Sequence, residues 1–502
     1  MGTAKGRAGN RIRKEIFAMH ARPFQWQRVP IIWVFLLLIG LFQPAPPLQA
    51  TTTPLPTEVM GVLKHYGIPM NAVSLMLKRV DQSQPVVSLN PYVARNPGSV
   101  IKLVTTLVAL ELLGPTHEWA TRYLIDGILD QGELKGNLVI QGGGDPYLVT
   151  EIFFQHLRAL RSRGILNISG DLIIDDSLFA PDQFDRGRFD DKPYRSYNVI
   201  PSAAMVNFSA TRFSLTPKEK GISVAVEPEI SNLEILNRIR VTEKKCRGDF
   251  AGWGYTIDQN ANGTRVSLRG NYPRNCGNLE FTRAFLSNLD YTYGLFRAGW
   301  KELGGGFEGA LLHGPVPQGA QEFFEGGSKP LKEVIAGINK FSNNTMARQL
   351  LMTLGSEIYG KPGSPGKGIL GIERWLQSEG VDMPTLVLEN GSGLSRICRV
   401  SASGLIHLLE KGWQSSYRPE FLSSLPIAST DGTMENRLEK EKPAGRVRIK
   451  TGLLDHVRSM AGYVTSEEGN RYLVALLVNH PLVDYESGNQ VQDTLLRWIL
   501  RH

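Results

Sequence analysis

Apolar residues change rhythm along this chain, and the changes mark its elements. Over 99–113 they occupy every side of a helical wheel (Val100, Ile101, Leu103, Val104, Leu107, Val108, Leu110, Leu112, Leu113), which predicts a helix buried all round. Gly98 precedes this run and Gly114-Pro115 ends it. Further helices are expected over 151–163 and 346–352. Short apolar runs at 138–140, 170–175, 221–226 and 264–268, separated by Gly, Asn and Pro, read as strands. Near the C-terminus, strands are expected over 446–450, 459–464 and 472–478, with a turn at 467–470. A closing helix over 490–501 carries Leu495, Leu496, Trp498, Ile499 and Leu500 on its apolar side. Two strands, a turn, a strand and a helix predict an antiparallel sheet covered by helices.

The first fifty residues follow a different pattern. A basic stretch to Arg28 precedes an apolar run over 29–42, then Gln43-Pro44-Ala45-Pro46-Pro47-Leu48-Gln49-Ala50. Charged, apolar and helix-breaking regions in that order make a signal peptide with a cut after Ala50. Leu48 is not ideal three positions before the cut, so an uncleaved anchor holding the protein at the membrane surface is the alternative. The apolar run is short for a full span of about 20 residues.

This leader also explains the charge. The whole chain is +8, but residues 1–50 hold seven Lys and Arg against one acid, and the remainder is only +2. A general nucleic-acid-binding role therefore loses its support. In an exported chain, Cys246 and Cys276 fit a structural disulfide, with two buried free thiols as the alternative; Cys398 reads as a small core residue. No HExxH motif is present, and neither a metal nor an organic cofactor is implied.

Three motifs carry candidate chemistry: Ser99-Val100-Ile101-Lys102, Ser342-Asn343-Asn344 and Lys450-Thr451-Gly452. Ser99 and Lys102 are three apart on a predicted helix and share a face. Apolar neighbours disfavour the charged form of Lys102, and a neutral amine can take the proton of Ser99. The helix N-terminus favours developing negative charge there. A Ser342 hydroxyl can relay a proton, and the Asn344 amide can hold a substrate backbone. Lys450, expected to end a strand, suits a terminal carboxylate. Gly452 allows close approach of a substrate backbone. Taken singly, each motif has an ordinary explanation: a solvated lysine, a helix cap, a basic residue before a turn. Their ordered occurrence points to a serine acyl-transfer site.

The motifs must meet in space, yet Ser99 and Ser342 stand 243 residues apart. The long gap is best explained by an insertion that leaves the catalytic domain and returns. The expected organisation is a leader (1–50), a first catalytic part (51–120), an inserted α+β region (121–319) with a β-rich subdomain at about 215–290, and a second catalytic part (320–502). The fold class is α/β with a β-rich insertion.

The chain resembles the class C low-molecular-mass penicillin-binding proteins, exported D-alanyl-D-alanine carboxypeptidases with endopeptidase activity. The resemblance covers nearly all of 55–502. It includes Gly142-Gly143-Gly144-Asp145-Pro146-Tyr147-Leu148, the run over 170–179, Gly391-Ser392-Gly393-Leu394-Ser395-Arg396 and Asp431-Gly432-Thr433. It implies a penicillin-binding/β-lactamase-like transpeptidase domain with extra domains after the SxxK helix, and recurring paired cysteines in that insertion. It implies Ser99 as the acylated nucleophile, Lys102 as base, Ser342 as proton shuttle, Asn344 on the substrate amide, and Lys450 and Thr451 on the terminal carboxylate. The backbone N–H groups of Ser99 and Leu453 would form the oxyanion hole. An acidic residue from the insertion would meet the amino end of the peptide stem: Asp191, with Asp190 beside it. Peptidoglycan peptides are the implied substrates and β-lactams covalent inhibitors, in the periplasm. The chain departs from the pattern at Asn343, where relatives often carry Asp, and at Asn390, where they usually do. Rival functions are a β-lactamase or esterase on the same fold, and an idle wall-binding scaffold.

Overall fold

The computed structural model describes residues 54–181, 185–246, 252–260 and 263–502. The expected leader lies outside them. Among the described residues no helix is long and apolar enough to cross a membrane.

One five-stranded antiparallel sheet organises the two ends of the chain. Its order is Val447–Leu454, Val457–Thr465, Arg471–Asn479, Val73–Arg79, Pro85–Leu89. Both faces are covered, which explains the unbroken apolar run in the Arg471–Asn479 strand. Alternate side chains point to opposite faces. Leu473, Ala475 and Leu477 join the core built on the helices Lys102–Leu113, Leu331–Phe341, Asn344–Tyr359 and Ala402–Gln414. Tyr472, Val474, Leu476 and Val478 face Thr57–His65 and the closing helix Tyr485–Arg501. The closing helix begins earlier than expected because Asp484 and Ser487 form a reciprocal capping box.

Two expectations shift. The Val447–Leu454 strand runs on past Lys450 to pair with Val457–Thr465 through Leu454 and Val457, so Lys450-Thr451-Gly452 lies inside an edge strand and not at its end. The helix expected from Ser99 starts as a 3-10 turn, Gly98–Ile101, and becomes α-helical at Lys102.

Between the buried helix and Leu331 the described residues build three further sheets. One mixed sheet contains Ala120–Asp130 and Glu133–Gln141. Its edge, Gln321–Gly327, pairs antiparallel with Ala120–Asp130. The return to the first sheet's helices therefore falls after Gly327, later than the expected 320. Two three-stranded sheets, from strands between Thr211 and Arg283, enclose their own core around Phe213, Val266, Leu268 and Tyr272. Cys246 and Cys276 are joined in a disulfide there, and Cys398 is a buried free thiol elsewhere.

Candidate active site

The 3-10 turn that carries Ser99 is pinned from two directions. Asn96 accepts from Gly98 N–H through Oδ1 (2.9 Å) and donates to the Ser395 carbonyl (2.8 Å), while its own N–H reaches Oδ1 of Asn479 on the central sheet (2.8 Å). Gly393 lies so close that a methyl on it would stand 2.0 Å from the Gly98 carbonyl oxygen, and its φ of +82° is glycine territory. Three-residue spacing within such a turn places Ser99 and Lys102 one above the other.

Lys102 is fully buried. Its Nζ lies 3.0 Å from Oγ of Ser99, 2.7 Å from Oδ1 of Asn344, and within hydrogen-bonding distance of the Ser392 carbonyl. Burial holds its pKa well below that of an ordinary lysine, and the positive charges of Lys450 and Arg348 push the same way. A neutral amine has two N–H bonds and one lone pair. The Asn344 and Ser392 oxygens can only accept, so they take the two N–H bonds, and the lone pair is left facing the Ser99 hydroxyl. The Ser392 carbonyl had no assigned role in the sequence, although its motif was legible. Asn390 holds it in place: Oδ1 accepts from Ser392 N–H (3.0 Å) and Oγ–H (2.8 Å), and Nδ2 donates to the Leu394 carbonyl (2.9 Å).

The Ser342-Asn343-Asn344 motif is a corner between two helices. Asn343 does the capping, accepting from Met346 N–H at 3.0 Å, which frees its neighbours for other work. Ser342 sits in the left-handed region (φ +56°), a conformation that costs a serine about 1 kcal/mol. Its Oγ accepts from Lys450 Nζ at 3.0 Å.

Lys450 departs from its expected place. It is fully buried, its amine also donates to the Thr451 carbonyl (2.7 Å), and burial lowers its pKa to about 7. Besides Ser342, the cavity near it is lined by Thr451 and Thr433, whose hydroxyls lie 3.0 Å apart. Thr433, within the Asp431-Gly432-Thr433 run, was without a role in the sequence.

A methyl on Gly452 would stand 2.4 Å from the Pro97 carbonyl oxygen and 3.0 Å from Ser99 N; one on Gly98 would meet Leu453 N at 3.3 Å. Only glycine lets the edge strand lie this close to the serine turn.

These groups open into one cavity of about 670 Å³, lined by Ser99, Ser342, Asn344, Thr451, Gly452 and Leu453. The cavity is also lined by the carboxylates of Asp190 and Asp455, and of the two neighbouring candidates from the insertion it is Asp190 and not Asp191 that lines it. Asp191 is exposed with φ +57°, turned outward by its N–H bond to the Gly187 carbonyl. Burial would raise the Asp190 pKa, but the Tyr197 hydroxyl (2.6 Å) and Asn198 amide (2.8 Å) outweigh it and hold the carboxylate below its usual range. Cys246 and Cys276 are not among the cavity-lining residues.

Known proteins match this architecture. The chain is 25% identical over 411 residues to a D-alanyl-D-alanine carboxypeptidase DacB of Haemophilus influenzae, covering 81% of this chain and 85% of that one. It is 29% identical over 391 residues to a D-alanyl-D-alanine carboxypeptidase of Actinomadura sp., covering 74% and 71%. The crystal structure of penicillin binding protein 4 from H. influenzae superposes with a TM-score of 0.75 at 23% identity, over 88% of this chain and 99% of that one. A structure of the same protein complexed with a β-lactam gives 0.71, at 23% identity over 89% and 100%. A family model matches residues 57–501, nearly the whole described chain. The chain therefore belongs to the D-Ala-D-Ala carboxypeptidase 3 (S13) family of serine-type peptidases.

Proposed function

We propose that this protein is an exported D-alanyl-D-alanine carboxypeptidase that cleaves peptidoglycan stem peptides through an acyl-enzyme on Ser99, and that it also opens cross-links of the same chemistry. The observation that carries this reading is the buried amine of Lys102, with both N–H bonds engaged and its lone pair left for Ser99.

In the first step Lys102 Nζ takes the Ser99 proton while Oγ attacks the carbonyl carbon of the penultimate D-Ala. Negative charge grows on the carbonyl oxygen, beside the N–H groups of Ser99 and Leu453. The leaving D-Ala amine needs a proton; Ser342 supplies it, and Lys450 stands 3.0 Å from Ser342 to replenish it. The C–N bond breaks, D-Ala departs, and Ser99 keeps the acyl group as an ester. Lys102 first gives up the proton it took from Ser99, by way of Ser342, to the Lys450 amine that had replenished Ser342. Water then attacks the ester, the neutral Lys102 accepts its proton and hands it to Ser99 Oγ as the ester bond breaks, and the shortened peptide leaves as the acid. With its Oδ1 on Lys102, Asn344 has Nδ2 left for a substrate carbonyl. The Thr451 hydroxyl meets the terminal carboxylate.

The names of the relatives and the β-lactam complex of the H. influenzae protein support the same substrate class and predict covalent inhibition by penicillins. The test is the intact mass of residues 51–502 after brief exposure to benzylpenicillin, beside Ser99→Ala. A stable one-to-one adduct in wild type alone is expected. Rapid drug hydrolysis with no adduct would instead identify a β-lactamase.

A further inference from the structure

The active-site cavity continues past the oxyanion nitrogens to the end of the Val447–Leu454 and Val457–Thr465 hairpin, where Arg458 lines it. This arginine is only 7% exposed. Its Nη1 donates to the carbonyls of Leu454 and Val457 (2.8 Å each), which fixes the guanidinium against the hairpin end. Its Nε is buried and has no hydrogen-bond partner. It forms no ion pair among the described residues. Of the nearby carboxylates, Asp455 pairs with Arg396 at 3.6 Å, and Asp484 caps the closing helix through Ser487. The closing helix makes room for it: a methyl on Gly488 would fall 2.1 Å from Cγ of Arg458. A buried, orientated cation with an unspent donor in a cavity wall is a receptor for an anion.

The strand sets which part of a substrate arrives there. Thr451 marks the terminal carboxylate and Leu453 N–H the scissile carbonyl, so the acyl portion extends the other way, past Leu454 and Asp455. At a strand rise of about 3.3 Å per residue, the hairpin end lies roughly 7 Å beyond Leu453. We propose that Arg458 is a specificity-determining residue that binds a free carboxylate on the acyl side of the stem peptide, one residue or more before the penultimate D-Ala. The carboxylate accepts from Nη2, which makes no hydrogen bond among the described residues, while Nε lies beneath the surface and contributes only charge.

This inference rests on the acyl-enzyme reading, and its test separates the two. Two acetylated peptides, γ-D-Glu-L-Lys-D-Ala-D-Ala with a free α-carboxylate and the same peptide with that group as a carboxamide, are compared by kcat/KM for D-Ala release. The free acid is expected to be favoured about tenfold by wild type, as a charged hydrogen bond is worth. Arg458→Met brings the ratio close to one, and Arg458→Lys leaves it intermediate. Benzylpenicillin labelling of Ser99 reports whether each variant is folded. A wild-type ratio near one overturns the proposal even if neither variant folds, and so does an undiminished preference in labelled Arg458→Met. A wild type that neither releases D-Ala nor takes the drug removes the acyl-enzyme reading and this inference with it.

Discussion

The amine of Lys102 donates to the main-chain carbonyl of Ser392, 290 residues away in sequence. That contact and the Asn344 bond use both N–H groups of the neutral amine, so its lone pair is orientated toward Ser99 before any substrate arrives. The basicity of Lys102 toward Ser99 thus depends on a loop that itself does no chemistry.

Replacing Lys102 by Met keeps the volume of the side chain and removes the base. The acylation rate by benzylpenicillin should fall by roughly 10²–10⁴-fold, the usual worth of a positioned general base. Stopped-flow acylation, with circular dichroism to verify folding, checks this; a variant acylated at wild-type rate would remove Lys102 from the mechanism.

Lys450 should make stability depend on pH. Its pKa is about 7 when folded, against about 10.4 for an unfolded lysine. Between those values the unfolded chain holds a proton that the folded chain lacks, so raising pH favours folding. The slope is up to about 1.4 kcal/mol per pH unit from pH 7 to about 10.4, and below pH 7 it vanishes. Urea unfolding at pH 7.5, 8.5 and 9.5 should show a shallower rise in Lys450→Met than in wild type. Equal slopes would contradict the buried amine.

Thr451 and Thr433 present paired hydroxyls where the substrate carboxylate is expected. Thr451→Val should reduce kcat/KM roughly 10- to 100-fold for a peptide with a free terminal carboxylate, and less for its amide. Thr433→Val should act in the same direction. Equal loss on acid and amide would place the carboxylate elsewhere.

Gly452→Ala puts a methyl 2.4 Å from the Pro97 carbonyl oxygen and 3.0 Å from Ser99 N. The edge strand must then move away from the serine turn and carry Leu453 N–H with it. Loss of one oxyanion donor costs about 10²–10³ in rate, so acylation should fall by that order in a protein that still unfolds cooperatively. Acylation kinetics beside thermal unfolding distinguish this from simple misfolding.

The Cys246–Cys276 disulfide lies outside the cavity lining. Replacing both cysteines by serine should destabilise the chain by about 2–4 kcal/mol and leave Ser99 acylation within about twofold of wild type. A large loss of acylation with little loss of stability would tie that β-rich region to the active site.

Much of this was legible in the residues themselves. The all-apolar run over 99–113 dictated a buried helix, because no face of it could meet water without cost. Spacing of three put Ser99 and Lys102 on one side of a turn, and the distance between motifs required an intervening region that loops out. Local order was enough for those conclusions. Other features depend on neighbours distant in sequence. Nothing in Gly391-Ser392-Gly393 says that the Ser392 carbonyl will meet Lys102. The strand continued beyond Lys450 because Val457–Thr465 paired with it, and Lys450 became a buried donor to Ser342 as a result. That Asp190 lines the cavity while Asp191 is exposed in a left-handed turn is a matter of the folded loop. Periodicity and spacing are properties of the chain alone, so the sequence determined which elements form and which side chains can react. Burial, charge state and hydrogen-bond partners are set by groups hundreds of residues away, and only the folded arrangement decided those.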